Sequence, residues 1–159
     1  MIGIEFSIDK RKACCVSGHR NIPKDFDTAK LEDIFTRLYK EKGIETFLVG
    51  MAVGFDSVCF KVLQKLRKSL DIKIVGCLPC QNQSERFSLA QKIDYEEMIK
   101  GLDQKILVSQ EYSKYCFLVR NRFMVDNSEY LVCYLRREKS GTFYTVNYAQ
   151  KQNKNIIKI

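Results

Sequence analysis

Proline and glycine are scarce in this sequence, with two prolines and eight glycines in 159 residues. That leaves little room for a disordered linker, and the chain has neither an internal repeat nor a low-complexity tract. No run approaches the roughly 20 apolar residues of a spanning helix. The stretch from Met1 to Lys12 carries Glu5, Asp9, Lys10 and Arg11 and lacks the apolar core of a signal peptide. A cytoplasmic protein without membrane association is expected. Histidine occurs once, at His19, which leaves few partners for a metal site or a catalytic triad. The seven cysteines are an odd number, and most lie inside apolar runs, where reduced, buried thiols are the rule.

What is present describes an ordinary globular protein. Hydrophobic residues make up 45% and charged residues 29%, a composition that suits one domain over 1–159 with one sizeable core. Residues 1–11 read as an N-terminal extension. The formal charge of +8 raises the question of an acidic partner. It divides evenly between residues 1–80 and 81–159, with no basic tail. A solvated lysine-rich surface explains it at least as well as a nucleic-acid footprint.

Apolar runs alternate with helical periodicity along the whole chain. Strands are expected at Lys12 to Val16, Ile44 to Val49, Ile72 to Leu78, Lys105 to Ser109, Tyr130 to Leu135 and Asn155 to Ile159. Helices are expected from Thr28 to the stop at Gly43, after Gly54, over most of Ser84 to Leu102, from Tyr115 to Asp126, and from Thr142 to Gln152. The strands are continuous apolar runs, as in a sheet covered on both faces. The prediction is a Rossmann-like, doubly wound α/β fold. It has a mainly parallel sheet of about six strands, with helices on both faces. Such sheets bind ligands beyond the C-terminal strand ends, where the strand order switches.

Three turns fall at that edge. They are Ser17-Gly18-His19-Arg20, the glycine turn Gly50-Met51-Ala52-Val53-Gly54-Phe55-Asp56, and Ser140-Gly141-Thr142. Turns of this kind present backbone amides and helix N-termini to an anion, so a phosphate-bearing ligand is the leading expectation. In the second turn Gly50 and Gly54 permit close approach, and Asp56 either caps amides or accepts from a ribose hydroxyl. The spacing is neither the dinucleotide fingerprint nor a P-loop. His19 with Arg20 reads as a ligand-facing pair, the alternative being a histidine that caps or packs. Arg120, in Arg120-Asn121-Arg122, reads as a phosphate or carboxylate clamp if it lies on the ligand edge. Cys77-Leu78-Pro79-Cys80 has CxxC spacing, but it straddles a strand end and a proline. Metal or redox use is therefore not favoured, and no metal site is expected.

Taken in order, the three turns, Arg120-Asn121 with Met124-Val125-Asp126, and Val146, Tyr148 and Ala149 after the last turn resemble the SLOG superfamily, most of all its YpsA-type branch. The segment Gln83 to Met98, with Phe87, Gln91 and Tyr95, resembles it too. Related groups are the DprA-type proteins, which bind single-stranded DNA, and the LOG-type phosphoribohydrolases, which cleave N-glycosidic bonds of nucleotides. The resemblance implies a pocket for a nucleotide or nucleotide-derived ligand, such as an ADP-ribose or NAD-like molecule, in a sensor or a nucleotide-processing enzyme. LOG-type enzymes carry a glutamate three residues after the glycine-threonine of the last turn. Here that position is Thr145, which argues for holding a ligand over cleaving it. A sensor of this kind needs a protein partner or self-association as a homodimer. Nucleic acid is the less favoured partner, with Tyr112, Tyr115 and Tyr144 as stacking candidates and at least one of them expected to be packed.

Overall fold

Residues 8–159 are described by a computed structural model; residues 1–7 of the expected extension lie outside the described residues. The strands are β1 (Ala13–Gly18), β2 (Thr46–Val49), β3 (Lys73–Leu78), β4 (Gln104–Leu107), β5 (Tyr130–Tyr134) and β6 (Asn155–Lys158). The helices between them are α1 (Thr28–Lys42), α2 (Phe55–Leu66), α3 (Leu89–Lys100), α4 (Cys116–Asp126) and α5 (Gly141–Lys151). A single 3-10 turn, Lys10–Lys12, precedes β1 and is capped by the Asp9 carboxylate.

Every strand pair is parallel, in the order β4-β3-β2-β1-β5-β6. Side chains alternate across the sheet. Cys14, Val16, Phe47, Val49 and Ile74 enter one apolar cluster with α1, α2 and α3. Cys15, Leu48, Val75 and Cys77 enter a second with α4 and α5. Burial on both faces explains why each strand reads as an unbroken apolar run. The α/β, Rossmann-like arrangement is as expected, with a sheet parallel throughout. Because β1 lies between β2 and β5, the strand order switches beside β1, and the crevice opens between the ends of β1 and β5.

Local signals set the helix ends. Asp27 accepts from the Lys30 amide to start α1, and Gly43, at φ 70°, ends it. Ser88 and Gln91 form a reciprocal capping box at the start of α3. That cap corrects the expectation of helix from Ser84, because residues 81–86 form turns. Gln83 anchors this segment by donating from Nε2 to the Gly50 carbonyl at 3.0 Å and accepting from the Tyr95 hydroxyl at 3.2 Å.

The first two turns lock together through backbone. Phe55 N–H donates to the His19 carbonyl at 3.0 Å. Gly54 sits at φ 96° against the Arg20 backbone, where a Cβ has no space. Gly54→Ala is therefore expected to cost well over 1 kcal/mol in urea unfolding, and a neutral result would contradict this reading of the turn.

Candidate functional site

A cleft of about 700 Å³ lies over the C-terminal strand ends, within the size range of small-molecule sites. Ser17, Gly18, His19 and Arg20 line it from β1, Ala52 and Asp56 from the start of α2, and Arg120 and Asn121 from α4. Ser140, Gly141 and Thr142 line it from the start of α5. Gly50, Met51 and Gly54 do not. Gly50 offers its carbonyl to Arg120 and Gln83. Met51, in left-handed backbone at φ 63°, turns its side chain into the core.

The histidine is a cap. His19 is 6% exposed, and its Nε2 accepts from the backbone amides of Arg136 at 2.7 Å and Arg137 at 3.3 Å. That fixes the neutral tautomer with the proton on Nδ1. Burial lowers its pKa, followed by the charges of Arg137 and Arg136. The expected ligand-facing pair with Arg20 is thus divided: Arg20 is exposed at the cleft, while His19 holds the 136–140 loop that forms the opposite wall.

Arg120 lines the cleft, but from beyond the first turn of α4. It is in the body of α4 and 4% exposed. Its Nη1 donates to the carbonyls of Gly50 and Cys77, at the ends of β2 and β3. Its Nε donates to Asn121 Oδ1 at 2.8 Å, and Asn121 Nδ2 donates to Thr145 Oγ1 at 3.0 Å. The Thr145 hydroxyl donates to the Gly141 carbonyl at 2.9 Å. Nη2 makes no hydrogen bond among the described residues.

Asp56 is the buried counter-charge. Its Oδ2 accepts from the Ala52 amide at 3.1 Å. Burial pushes its pKa up to about 6, against the pull of the Arg120 charge and the Ala52 amide. Its other oxygen, Oδ1, has no hydrogen-bond partner among the described residues, and Asp56 lines the cleft.

At the start of α5 the hydrogen-bonding groups are unspent. Ser140 Oγ caps the Phe143 amide at 3.1 Å, but the Gly141 and Thr142 amides have no acceptor among the described residues. Thr142 and Ser17 are buried residues at 4% and 7% exposure, and their hydroxyls have no hydrogen-bond partner among the described residues. Both line the cleft. Arg20, Arg86, Arg137 and Lys139 surround them, with Glu85 and Glu138 as the exposed carboxylates.

This architecture can be set beside known proteins. The model of the YspA SLOG family (YpsA) matches residues 27–159. The chain belongs to this family. An uncharacterised SPbeta prophage-derived protein of Bacillus subtilis (strain 168), YoqJ, is 31% identical over 80% of each chain. DNA processing protein A from Streptococcus pneumoniae superposes with a TM-score of 0.69 at 17% identity, covering 94% of this chain and 50% of that one. The Helicobacter pylori protein, described for its single-stranded DNA binding mode, gives 0.65 at 19%, covering 94% and 66%. At these identities the two structures show a shared fold.

Within this SLOG frame, Thr145 is 2% exposed and bonded on both sides. It braces α5 against α4 and does not line the cleft. In the sequence, Gln83 and Tyr95 stand out only through the resemblance; their bracing role comes from the bonds of Gln83 to Gly50 and of Tyr95 to Gln83. The three tyrosines correct another expectation. Tyr112, Tyr115 and Tyr144 are 60%, 59% and 56% exposed, and none is packed away. Among the described residues, no group of three metal-binding side chains forms, and no helix is long and apolar enough to cross a membrane.

Two outcomes follow from the buried ionisable groups. Folded Asp56 binds its proton more tightly than the unfolded chain does, so its burial is costless below about pH 4 and destabilises increasingly up to about pH 6. Asp56→Asn should flatten stability across that window by up to about 3 kcal/mol, read as urea midpoints at each pH; an unchanged slope contradicts the assignment. His19→Ala should leave the Arg136 and Arg137 amides without an acceptor and cost about 1–3 kcal/mol. Hydrogen exchange at those two amides should accelerate, and unchanged protection there would show that the loop holds itself.

Proposed function

We propose that the cleft binds a nucleotide or nucleotide-derived ligand through its phosphate, and that the chain acts as a ligand-sensing module. One observation carries this reading. The hydroxyls of Ser17 and Thr142, residues otherwise buried, have no protein partner, and both residues line the cleft with the open amides of Gly141 and Thr142. An anion at a helix N-terminus would take hydrogen bonds from these hydroxyls and amides together. Exposed Arg20, Arg137 and Lys139, which form no ion pair among the described residues, supply the countercharge. Phe87, Tyr112 and Phe117 give the same cleft an apolar wall suited to a base. ADP-ribose and NAD-like molecules combine both chemistries.

The test is thermal unfolding against AMP, ADP, ADP-ribose and NAD. A ligand at 100-fold over its Kd adds about 2.7 kcal/mol, a rise of about 5 °C or more. Thr142→Val should lower the affinity about fivefold. Flat unfolding curves across the panel at millimolar concentration would overturn the reading. Chromatography of the incubated ligand separates holding from cleaving, since a sensor returns it intact and an N-glycosidic hydrolase releases free base.

The outward tyrosines favour a second reading, single-stranded nucleic acid. Lys114 lies 5.3 Å from the Tyr115 ring centroid, and exposed aromatics beside cations are a stacking platform for bases. The structural relatives from S. pneumoniae and H. pylori add support, as DNA-processing proteins of the same fold. Binding of an oligothymidine that weakens steeply between 50 and 200 mM salt is expected on this reading, and absence of binding at low salt removes it.

A further inference from the structure

His19, the chain's single histidine, holds one wall of the cleft through one lone pair. Its Nε2 accepts the Arg136 amide at 2.7 Å and the Arg137 amide at 3.3 Å. At one end of that wall the Arg136 side chain is tied to the Ile159 carbonyl at 2.8 Å, and at the other Ser140 caps α5. Between these anchors Arg137, Glu138 and Lys139 are exposed. Among the described residues, only His19 joins them by a hydrogen bond to anything outside residues 136–140. Lys139 sits in left-handed backbone at φ 55°, an unfavourable conformation for a residue with a side chain, kept only where the surroundings hold it. A short exposed segment with strained backbone thus hangs on one imidazole nitrogen.

We propose that His19 is a proton-operated latch: a proton taken up at Nε2 releases the 137–139 segment and opens that wall of the cleft. A neutral imidazole with its proton on Nδ1 has one acceptor nitrogen, and an imidazolium has none. Protonation therefore sets an N–H donor against two amide donors. The titratable and charged groups on the elements around His19 are Arg20 on its own turn, Asp56 on α2, and Tyr134 on β5, whose ring meets the imidazole edge-on at 5.9 Å between centroids. Arg136, Arg137, Glu138 and Lys139 follow on the loop. Burial, then the charges of Arg137 and Arg136, disfavours the imidazolium, and among the described residues no carboxylate forms an ion pair with it. The closed wall binds the proton less tightly than the open one, so falling pH shifts the balance toward open. The latch is closed at neutral pH and opens below the ordinary imidazole value of about 6.5. Arg137 and Lys139 supply countercharge in the phosphate reading proposed above. Resting on that reading, ligand affinity falls as the wall opens.

The test is NMR of the folded full chain from about pH 8 to about pH 5. One histidine gives one imidazole titration. The Arg136 and Arg137 amide shifts should move with the midpoint of that titration, which should lie below the ordinary imidazole value. His19→Gln offers an acceptor that does not titrate and should make those amide shifts flat with pH. Asp56 titrates in the same window, so Asp56→Asn should keep the amide response. ADP-ribose, whose diester phosphates hold their charge over this range, should bind up to about tenfold more weakly per pH unit below the midpoint. Amides that stay fixed while His19 titrates, amides that still respond in His19→Gln, or a His19 that stays neutral until the chain unfolds would each overturn the proposal. Absence of ADP-ribose binding at every pH would count against the phosphate reading and leave the latch standing, since the two amides report it by themselves.

Discussion

The buried guanidinium of Arg120 is the interaction on which the rest of the site depends. A charge at 4% exposure is costly to remove from water unless its donors are satisfied and its field is balanced. Here the carbonyls that end β2 and β3 take Nη1, Asn121 takes Nε, and Asp56 supplies the opposite field. Without Arg120 the Cys77 carbonyl would lose this donor and the Gly50 carbonyl would keep only Gln83. One side chain from α4 therefore closes the ends of two strands. The Asn121–Thr145–Gly141 relay extends that brace to α5, so the helix end with open amides is positioned by the same arginine.

The walls of the cleft are held by neighbours as well as by their own turns. The 136–140 loop hangs on His19 from β1, and the 81–86 segment hangs on Gln83, which reaches the glycine turn and Tyr95. The Arg136 side chain adds a second tie, donating to the Ile159 carbonyl at 2.8 Å and lying 4.3 Å from the Tyr134 ring centroid. Each wall thus depends on an element distant in sequence. Polar groups spent on these ties are unavailable to a ligand, which sorts the cleft into bracing residues and open ones.

That sorting is not legible in the sequence. Strand and helix positions were legible, because burial on both sheet faces leaves apolar runs and amphipathic helices leave periodicity. The switch-point edge and its three turns followed from the alternation. The role of each polar residue did not, because a histidine that accepts amides and one that faces a ligand have the same sequence signature. Arg120 was read as a clamp because its pattern marks the ligand edge. Nothing local shows that Gly50 and Cys77 would offer it carbonyls. The tyrosines illustrate the opposite error: aromatic residues default to packing, yet Tyr112 and Tyr115 lie in or beside the loop before α4, where no layer covers them.

The charge balance takes on a different meaning once Arg120 is set aside. Its cation is committed inward and largely answered by Asp56, so it adds little field at the cleft mouth. The exposed charges that remain are Arg20, Arg86, Arg137 and Lys139 against Glu85 and Glu138. That local excess is modest, and it is contributed by three different walls. An extended polyanion draws on a continuous basic stripe. A compact ligand with one or two phosphates needs only convergent cations and amides at a single point. The open groups converge at the start of α5, beside the end of β1, and the aromatic wall closes the same cleft. The distribution of uncommitted charge, more than the net charge of the chain, is what sets a small phosphorylated ligand ahead of a strand of nucleic acid.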